Sequence, residues 1–340
     1  MRAGIEHWIL RQWYETHQPP WYLRMLEPVY RAAFNHEQKK KESGDSSCRS
    51  ALPLIVVGNI TTGGSGKTPL VIRLCQLAAE LNCKPGIVST GYGRQGKQTL
   101  LVQADSDTRE CGDEPVLLAI RTGVPVVVAA RRCDAIRKLD DMGVDLLICD
   151  DGLQQANLDR DMDICVVDGE RGLGNGHLLP AGPLREPAGR LRQVDYVVTN
   201  GVWADKPEDL AVNVMQLTGD SLRSLDDSSV MSVAQFRQNH SGKKVHAMAG
   251  IGHPQRFFNM LASLQIVTTN HAFADHHRFS LKDFELAETG SAIIMTEKDA
   301  VKCRSLGLKN AWYVPVDTHL DASFEATFKQ HLQGLMKECK

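Results

Sequence analysis

The sequence predicts an α/β protein of two α/β/α domains with mainly parallel sheets, preceded by an amphipathic helical segment. Three observations carry this. Short β-branched apolar runs alternate with helix-period runs twice over, as in sheets whose crossover helices cover both faces. A glycine-rich stretch separates the first apolar run from the first helix. The chain has 340 residues, enough for two cores of ordinary domain size.

The first run is Leu54–Gly58, a buried-strand pattern. Asn59-Ile60-Thr61-Thr62-Gly63-Gly64-Ser65-Gly66-Lys67-Thr68-Pro69 follows, then Leu70, Val71, Leu74, Leu77, Ala78 and Leu81 at helical spacing. Strand, glycine loop, Gly-Lys-Thr and helix together read as a P-loop. Glycines let consecutive N–H groups turn toward a polyphosphate, and the helix start adds its positive end. Lys67 would reach the terminal phosphates and Thr68 would hold Mg²⁺. Thr61 stands where the general pattern has its first glycine.

Composition narrows the class. A formal charge of −2 gives no field favouring nucleic acid. Nine cysteines, an odd count without a C-x-x-C pair, describe neither a disulfide framework nor a zinc site, so a reducing, cytoplasmic setting is expected. No apolar run is long enough to span a bilayer.

Residues 1–35 form a separate aromatic segment. Ile5, Trp8, Ile9 and Trp13 share one helical face, with Glu6 and Arg11 turned away. Pro19-Pro20 breaks that helix, and Tyr22, Leu26, Val29, Tyr30 and Ala33 suggest a second. With Arg2, Arg24 and Arg31 alongside, the pattern fits either a lipid interface or a helix packed on the protein's own core. Residues 36–50, including Lys39-Lys40-Lys41, read as a solvated connector.

A first domain over 36–205 is expected to continue with strands at 86–90, 100–102, 124–129, 144–149, 163–168 and 195–199, the last taken as its final strand. Gly112-Asp113-Glu114-Pro115 opens a helix with two carboxylates at its positive end. The strand ending at Asp150-Asp151-Gly152-Leu153-Gln154 is where P-loop enzymes keep a Mg²⁺-organising carboxylate. The loop from Gly172 to Pro187 reads as a substrate loop. Arg131 or Arg132 could offset phosphate charge. Residues 206–228 are expected as a connector and 229–340 as a smaller α/β domain, its last helix free to pack back on the first. Within it lie a strand at 244–249, Gly250-Ile251-Gly252-His253, Asp275-His276-His277, a helix over Leu281–Glu288, a strand at 292–296 and Glu297-Lys298-Asp299.

Taken in order, Gly63-Gly64-Ser65-Gly66-Lys67-Thr68-Pro69, Gly91-Tyr92-Gly93-Arg94, Gly112-Asp113-Glu114-Pro115, Asp150-Asp151-Gly152-Leu153-Gln154, Gly182-Pro183-Leu184-Arg185-Glu186-Pro187, Asp275-His276-His277 and Thr296-Glu297-Lys298-Asp299-Ala300 resemble the tetraacyldisaccharide 4′-kinase family. The resemblance implies ATP- and Mg²⁺-dependent phosphorylation of the 4′-hydroxyl of tetraacyldisaccharide 1-phosphate in lipid A biosynthesis, at the cytoplasmic face of the inner membrane. It also turns the N-terminal segment into a membrane-interface helix, and implies no obligate protein partner. By the same resemblance Asp113 is the base, His276 its partner, and Lys67 the phosphate cation. Gly63, Gly64, Ser65, Gly66, Thr68 and Gln154 match nucleotide contacts. Thr68, Glu114, Asp150 and Asp151 match metal residues, and Arg185 and Glu186 a substrate-side motif. A GTPase is the rival class, but neither Thr199-Asn200-Gly201 nor Glu297-Lys298-Asp299 has the N-K-x-D spacing that reads guanine.

Overall fold

The structure, a computed structural model, describes residues 2–16, 18–43, 48–226, 228–287 and 290–338; the side chains of Arg2, Glu6 and Lys41 and the whole of Glu288 lie outside the described set. Helices α1 (Arg2–Tyr14) and α2 (Trp21–Ser43) precede β1 (Leu54–Gly58), α3 (Lys67–Glu80), β2 (Pro85–Ser89), β3 (Leu100–Val102), α4 (Thr108–Cys111) and α5 (Asp113–Thr122). Next come β4 (Val126–Val128), α6 (Arg132–Asp140), β5 (Leu146–Asp150), β6 (Met162–Asp168), β7 (Tyr196–Asn200) and β8 (Asn213–Thr218). The second unit holds β9 (Ser221–Ser224), β10 (Val230–Ser232), α7 (Val233–Asn239), β11 (Val245–Ala249), α8 (Pro254–Ser263), β12 (Thr269–Ala272), β13 (Ala292–Thr296), α9 (Glu297–Cys303) and β14 (Ala311–Val314). The chain closes with β15 (Asp317–Leu320) and α10 (Ala322–Glu338).

The first sheet has nine strands in the order β15-β8-β7-β6-β1-β5-β2-β4-β3, parallel except for its edge strands β3 and β15. The second has six, β10-β9-β14-β13-β11-β12, parallel from β14 to β12. Strand β1 lies between β5 and β6, so Leu54, Ile55, Val56 and Val57 are fully buried. Helix α3 buries Leu70, Leu74 and Leu77 completely, each contributing roughly 1.5–3 kcal/mol of burial. The P-loop therefore leaves the most enclosed strand and enters a helix fixed on the core. In the register Val57 pairs with Asp150, which sets the β5 carboxylate beside the loop's start.

Three expectations are corrected. Tyr196–Asn200 is not the last strand of its sheet: β8, from the segment read as a connector, and β15 extend it. Residues 36–43 continue α2, since Glu-Gln-Lys-Lys-Lys-Glu is good helix-forming sequence as well as solvated sequence. The expected helix at 281–288 is only a short 3₁₀ turn, Leu281–Phe284. Helix α10 packs back on the first sheet, with Phe328 and Leu332 fully buried in the core of α3.

The N-terminal helices pack on the protein through one face and leave another exposed. Trp13 Nε1 donates to Pro180 O (3.0 Å), and Tyr30 Oη donates to Arg185 O (3.1 Å). His177 meets Glu27 at 2.9 Å. These contacts seat α1 and α2 on the 172–187 loop. The opposite face of α2 leaves Trp21, Tyr22, Met25, Leu26 and Val29 exposed at helical spacing, with Trp21 72% accessible. No helix among the described residues is long and apolar enough to cross a membrane.

Candidate active site

The P-loop wraps the N-terminus of α3. Gly66 caps that helix at φ 98°, where a β-carbon would come within 2.6 Å of Asn200 Nδ2, so only glycine fits. Lys67 reaches back across the loop: Nζ donates to Asn59 Oδ1 at 3.1 Å and lies 3.4 Å from Asp151 Oδ1. The amide of Gln154 donates to Asn59 O (2.9 Å) and Glu186 Oε1 (2.6 Å). Gly64, Ser65, Gly66, Lys67, Thr68 and Glu114 line one wall of a cavity of about 510 Å³. The second unit supplies the opposite wall, including Gly252 and Lys298. The Gly-x-Gly at 250–252 packs on the P-loop, with a β-carbon at Gly252 falling 2.8 Å from Gly64 N.

Asp113 and His276 meet across the two units. Asp113, the first residue of α5, is 5% accessible. His276 Nδ1 lies 3.0 Å from its Oδ2 and 3.2 Å from its Oδ1. The His276 backbone is left-handed, at φ 56°, and its ring rests on Tyr92 with centroids 5.0 Å apart. Burial pushes the Asp113 carboxyl up, but the His276 hydrogen bond and the Lys298 charge outweigh it and hold it at about 2. For His276, burial works against the charged ring and the Asp113 hydrogen bond reverses that, leaving the imidazole above its ordinary value. The pair borders a second cavity of about 840 Å³.

The carboxylates expected at the metal differ among themselves. Asp150 is pushed up to about 7, first by burial, then by repulsion from Glu114 and Asp151. Its Oδ1 is buried without a hydrogen-bond partner, as is Ser65 Oγ. Burial raises Asp151 too, but Lys67 and Arg185 bring it below the usual range; Arg185 Nη1 is 3.4 Å away. Glu114 is held by Lys298 Nζ at 2.7 Å. Among the described residues, one trio of carboxylate and imidazole groups brings its ligand atoms within 4.8 Å, and it lies outside the expected set: Asp168, Glu170 and His253. There Arg256 already donates to Asp168 at 2.8 Å, making the group an ion-pair latch between the units.

Of the substrate-side pair, Glu186 is buried and bonded to Gln154, and Arg185 faces Asp151. Arg132 is also inward, donating to the Asp151 carbonyl at 2.6 Å, whereas Arg131 pairs with Asp134 at the surface. Residue types alone did not single out Asn59, Arg256 or Lys298. Lys298 had a visible signal, a lysine at a strand end within a matched motif. Asn59 stood within the matched loop and meets Lys67 eight residues on, whereas Arg256 had no signal, because its partners Asp168 and Asn200 are distant in sequence.

A family model described as Tetraacyldisaccharide-1-P 4′-kinase matches residues 19–333. The tetraacyldisaccharide 4′-kinase of Pseudomonas putida is 41% identical over 333 residues, covering 97% of this chain and 98% of that one. The enzyme of the same name from Methylobacillus flagellatus is 41% identical over 347 residues, covering 99% of each. A crystal structure of LpxK from Aquifex aeolicus in complex with ATP superposes with a TM-score of 0.74 at 27% identity, covering 92% of this chain and 97% of that one.

Proposed function

The chain belongs to the tetraacyldisaccharide-1-P 4′-kinase family and phosphorylates the 4′-hydroxyl of its disaccharide lipid in lipid A biosynthesis; from that premise we propose that Asp113 is the group that accepts the hydroxyl proton. The observation that carries this is the 3.0 Å contact between Asp113 and His276, which line the second cavity next to Glu114 and Lys298 on the wall of the P-loop cavity. ATP, the ligand named with the Aquifex aeolicus structure, would lie in the 510 Å³ cavity with its phosphates on the N–H groups of Gly64 to Thr68. The hydroxyl oxygen attacks the γ-phosphorus, the bond to the ADP oxygen breaks, and the proton passes to Asp113.

An aspartate held near 2 is a weak base, so the proton moves late, after the new phosphorus–oxygen bond has begun to form. Hydrogen-bonded through Nδ1, His276 fixes the carboxylate's direction and spreads the arriving charge. Lys67, released from Asn59 and Asp151, is placed to meet the transferring phosphate.

Residues fit for Mg²⁺ are present: the partnerless Asp150 Oδ1, and Asp151, Glu114 and Thr68 around the loop. When bound there, Mg²⁺ would supply charge neutralisation to the phosphates. The exposed aromatic stripe of α2 supports seating in the headgroup layer at the cytoplasmic face of the inner membrane, with the acyl chains of the acceptor alongside. ADP release measured with and without the lipid acceptor tests the central claim. The wild type should depend on acceptor, and Asp113→Ala should lose at least about a hundredfold in kcat. Near-normal turnover in that variant would remove Asp113 from the chemistry.

A further inference from the structure

Lys298, in the first turn of α9 in the second unit, sets its ammonium between carboxylates of the first unit and the Asp275-His276 loop of its own. Nζ is 2.7 Å from Glu114 Oε1, 4.0 Å from Asp113 Oδ2, 3.7 Å from Asp275 Oδ1 and 3.5 Å from His276 Nε2. The side chain is 17% accessible and forms part of the wall of the P-loop cavity. It thus touches the Asp113–His276 pair on one side and the nucleotide space on the other. Burial disfavours the ammonium, but Glu114, Asp113 and Asp275 together keep it charged.

The other cations around the cavity are committed elsewhere. Arg256 donates to Asp168 and to Asn200 O. Arg171 donates to Gly252 O and sits over the Tyr14 ring. Lys302 pairs with Asp299 at 2.7 Å. A lysine on a flexible stem, beside the base and open to the phosphate space, is suited to follow charge that moves during transfer.

Resting on the reading of Asp113 as base, we propose that Lys298 is a catalytic cation delivered by the second unit, and that it meets the γ-phosphoryl group as this moves toward the hydroxyl. Closure of the units then completes the charge around the reacting phosphate: Lys67 comes from the P-loop side and Lys298 from the acceptor side. With the units apart, ATP on the P-loop lacks the second cation, so hydrolysis without acceptor stays slow.

The experiment compares Lys298→Ala, Lys298→Arg and Arg121→Ala in the full-length protein, with kcat, KM for ATP and KM for the lipid acceptor. Arg121 also ties the units together, through Glu297 at 2.6 Å and Asp317, but lies outside the cavity wall. Lys298→Ala should lose at least about a hundredfold in kcat with little change in KM for ATP. Lys298→Arg, and methylammonium added to Lys298→Ala, should each recover a clear part of the loss. Arg121→Ala should stay close to wild type.

Equal losses in Lys298→Ala and Arg121→Ala, or a loss confined to KM, would make Lys298 a structural strut and overturn the inference. Because removing a buried cation leaves Glu114 unpaired, ATP binding by Lys298→Ala is measured in parallel. A variant that binds ATP normally yet gains nothing from methylammonium or arginine also overturns it. Asp113→Ala separates the two claims. If Asp113→Ala turns over normally while Lys298→Ala does not, the base assignment falls and the cation stands.

Discussion

Asp113 and Asp150 are both buried, one at the start of α5 and the other at the end of the central strand β5, yet they are driven in opposite directions. The second unit surrounds Asp113 with His276 and Lys298, and the carboxyl is held at about 2. Asp150 has Glu114 and Asp151 for neighbours, and burial with that repulsion lifts it to about 7. The difference separates a finished half of the site from an unfinished one. Around Asp113, His276 and Lys298 supply the balancing charge from within the protein. Around Asp150 there is an excess of carboxylate, which a cation from solution would relieve. Lys67 joins the halves: it lies 3.4 Å from Asp151, a contact that the proposed role at the phosphate would require it to leave.

The largest expected effect is at this joint. Lys67→Ala should abolish transfer while leaving the thermal midpoint nearly unchanged, since its side chain reaches back over the loop and not into the core. Measurable turnover near wild type would break the P-loop assignment. Next come the members of the finished half. Asp113→Ala and His276→Ala should each cost at least about a hundredfold in kcat. The double variant should be little worse than the more damaging single, because two residues acting as one unit do not add. Losses that multiply would show that the 3.0 Å contact is not a working pair.

The unfinished half is tested through stability. Asp150 binds a proton more tightly folded than unfolded, so its contribution declines as pH rises from about 4 to 7. Asp113 has the opposite sign: its contribution is present above about 4 and is lost as pH falls toward 2. Asp150→Asn should therefore raise the thermal midpoint of the nucleotide-free protein at pH 8, with the gain shrinking by pH 5, while activity falls. Saturating Mg²⁺ should raise the wild-type midpoint at pH 8 and do less for the variant. A variant less stable than wild type at pH 8 would mean that the excess charge is already relieved within the protein.

How far the sequence could be read follows from the range of the forces involved. The P-loop was legible because glycines, lysine and threonine act within ten residues of one another. Asp113 and His276 were legible as motif members, but only the fold brings residues 163 positions apart into contact. Strands β8 and β15 were not legible. Asn213-Val214-Met215-Gln216-Leu217-Thr218 and Asp317-Thr318-His319-Leu320 form an exposed edge, where one buried face leaves little apolar signal. The N-terminal pattern showed amphipathic helices and could not say which face docks.

That last question carries the smallest expected effect and needs a finer instrument than deletion. Removing residues 1–34 would also strip Trp13 and Tyr30 from the 172–187 loop, so a loss of activity could arise without any membrane. Substitutions on the outward stripe avoid this, because Met25 is 67% and Val29 64% accessible. Met25→Glu with Val29→Glu puts two negative charges where an interfacial helix would face lipid. ATP binding and the thermal midpoint should barely change. Sedimentation with anionic phospholipid vesicles should weaken, and KM for a long-chain acceptor should rise severalfold, with kcat near wild type. The finished half of the site would be untouched, since neither residue contacts the cleft. Unchanged vesicle binding would leave the stripe without a lipid role and confine the N-terminal helices to holding the loop.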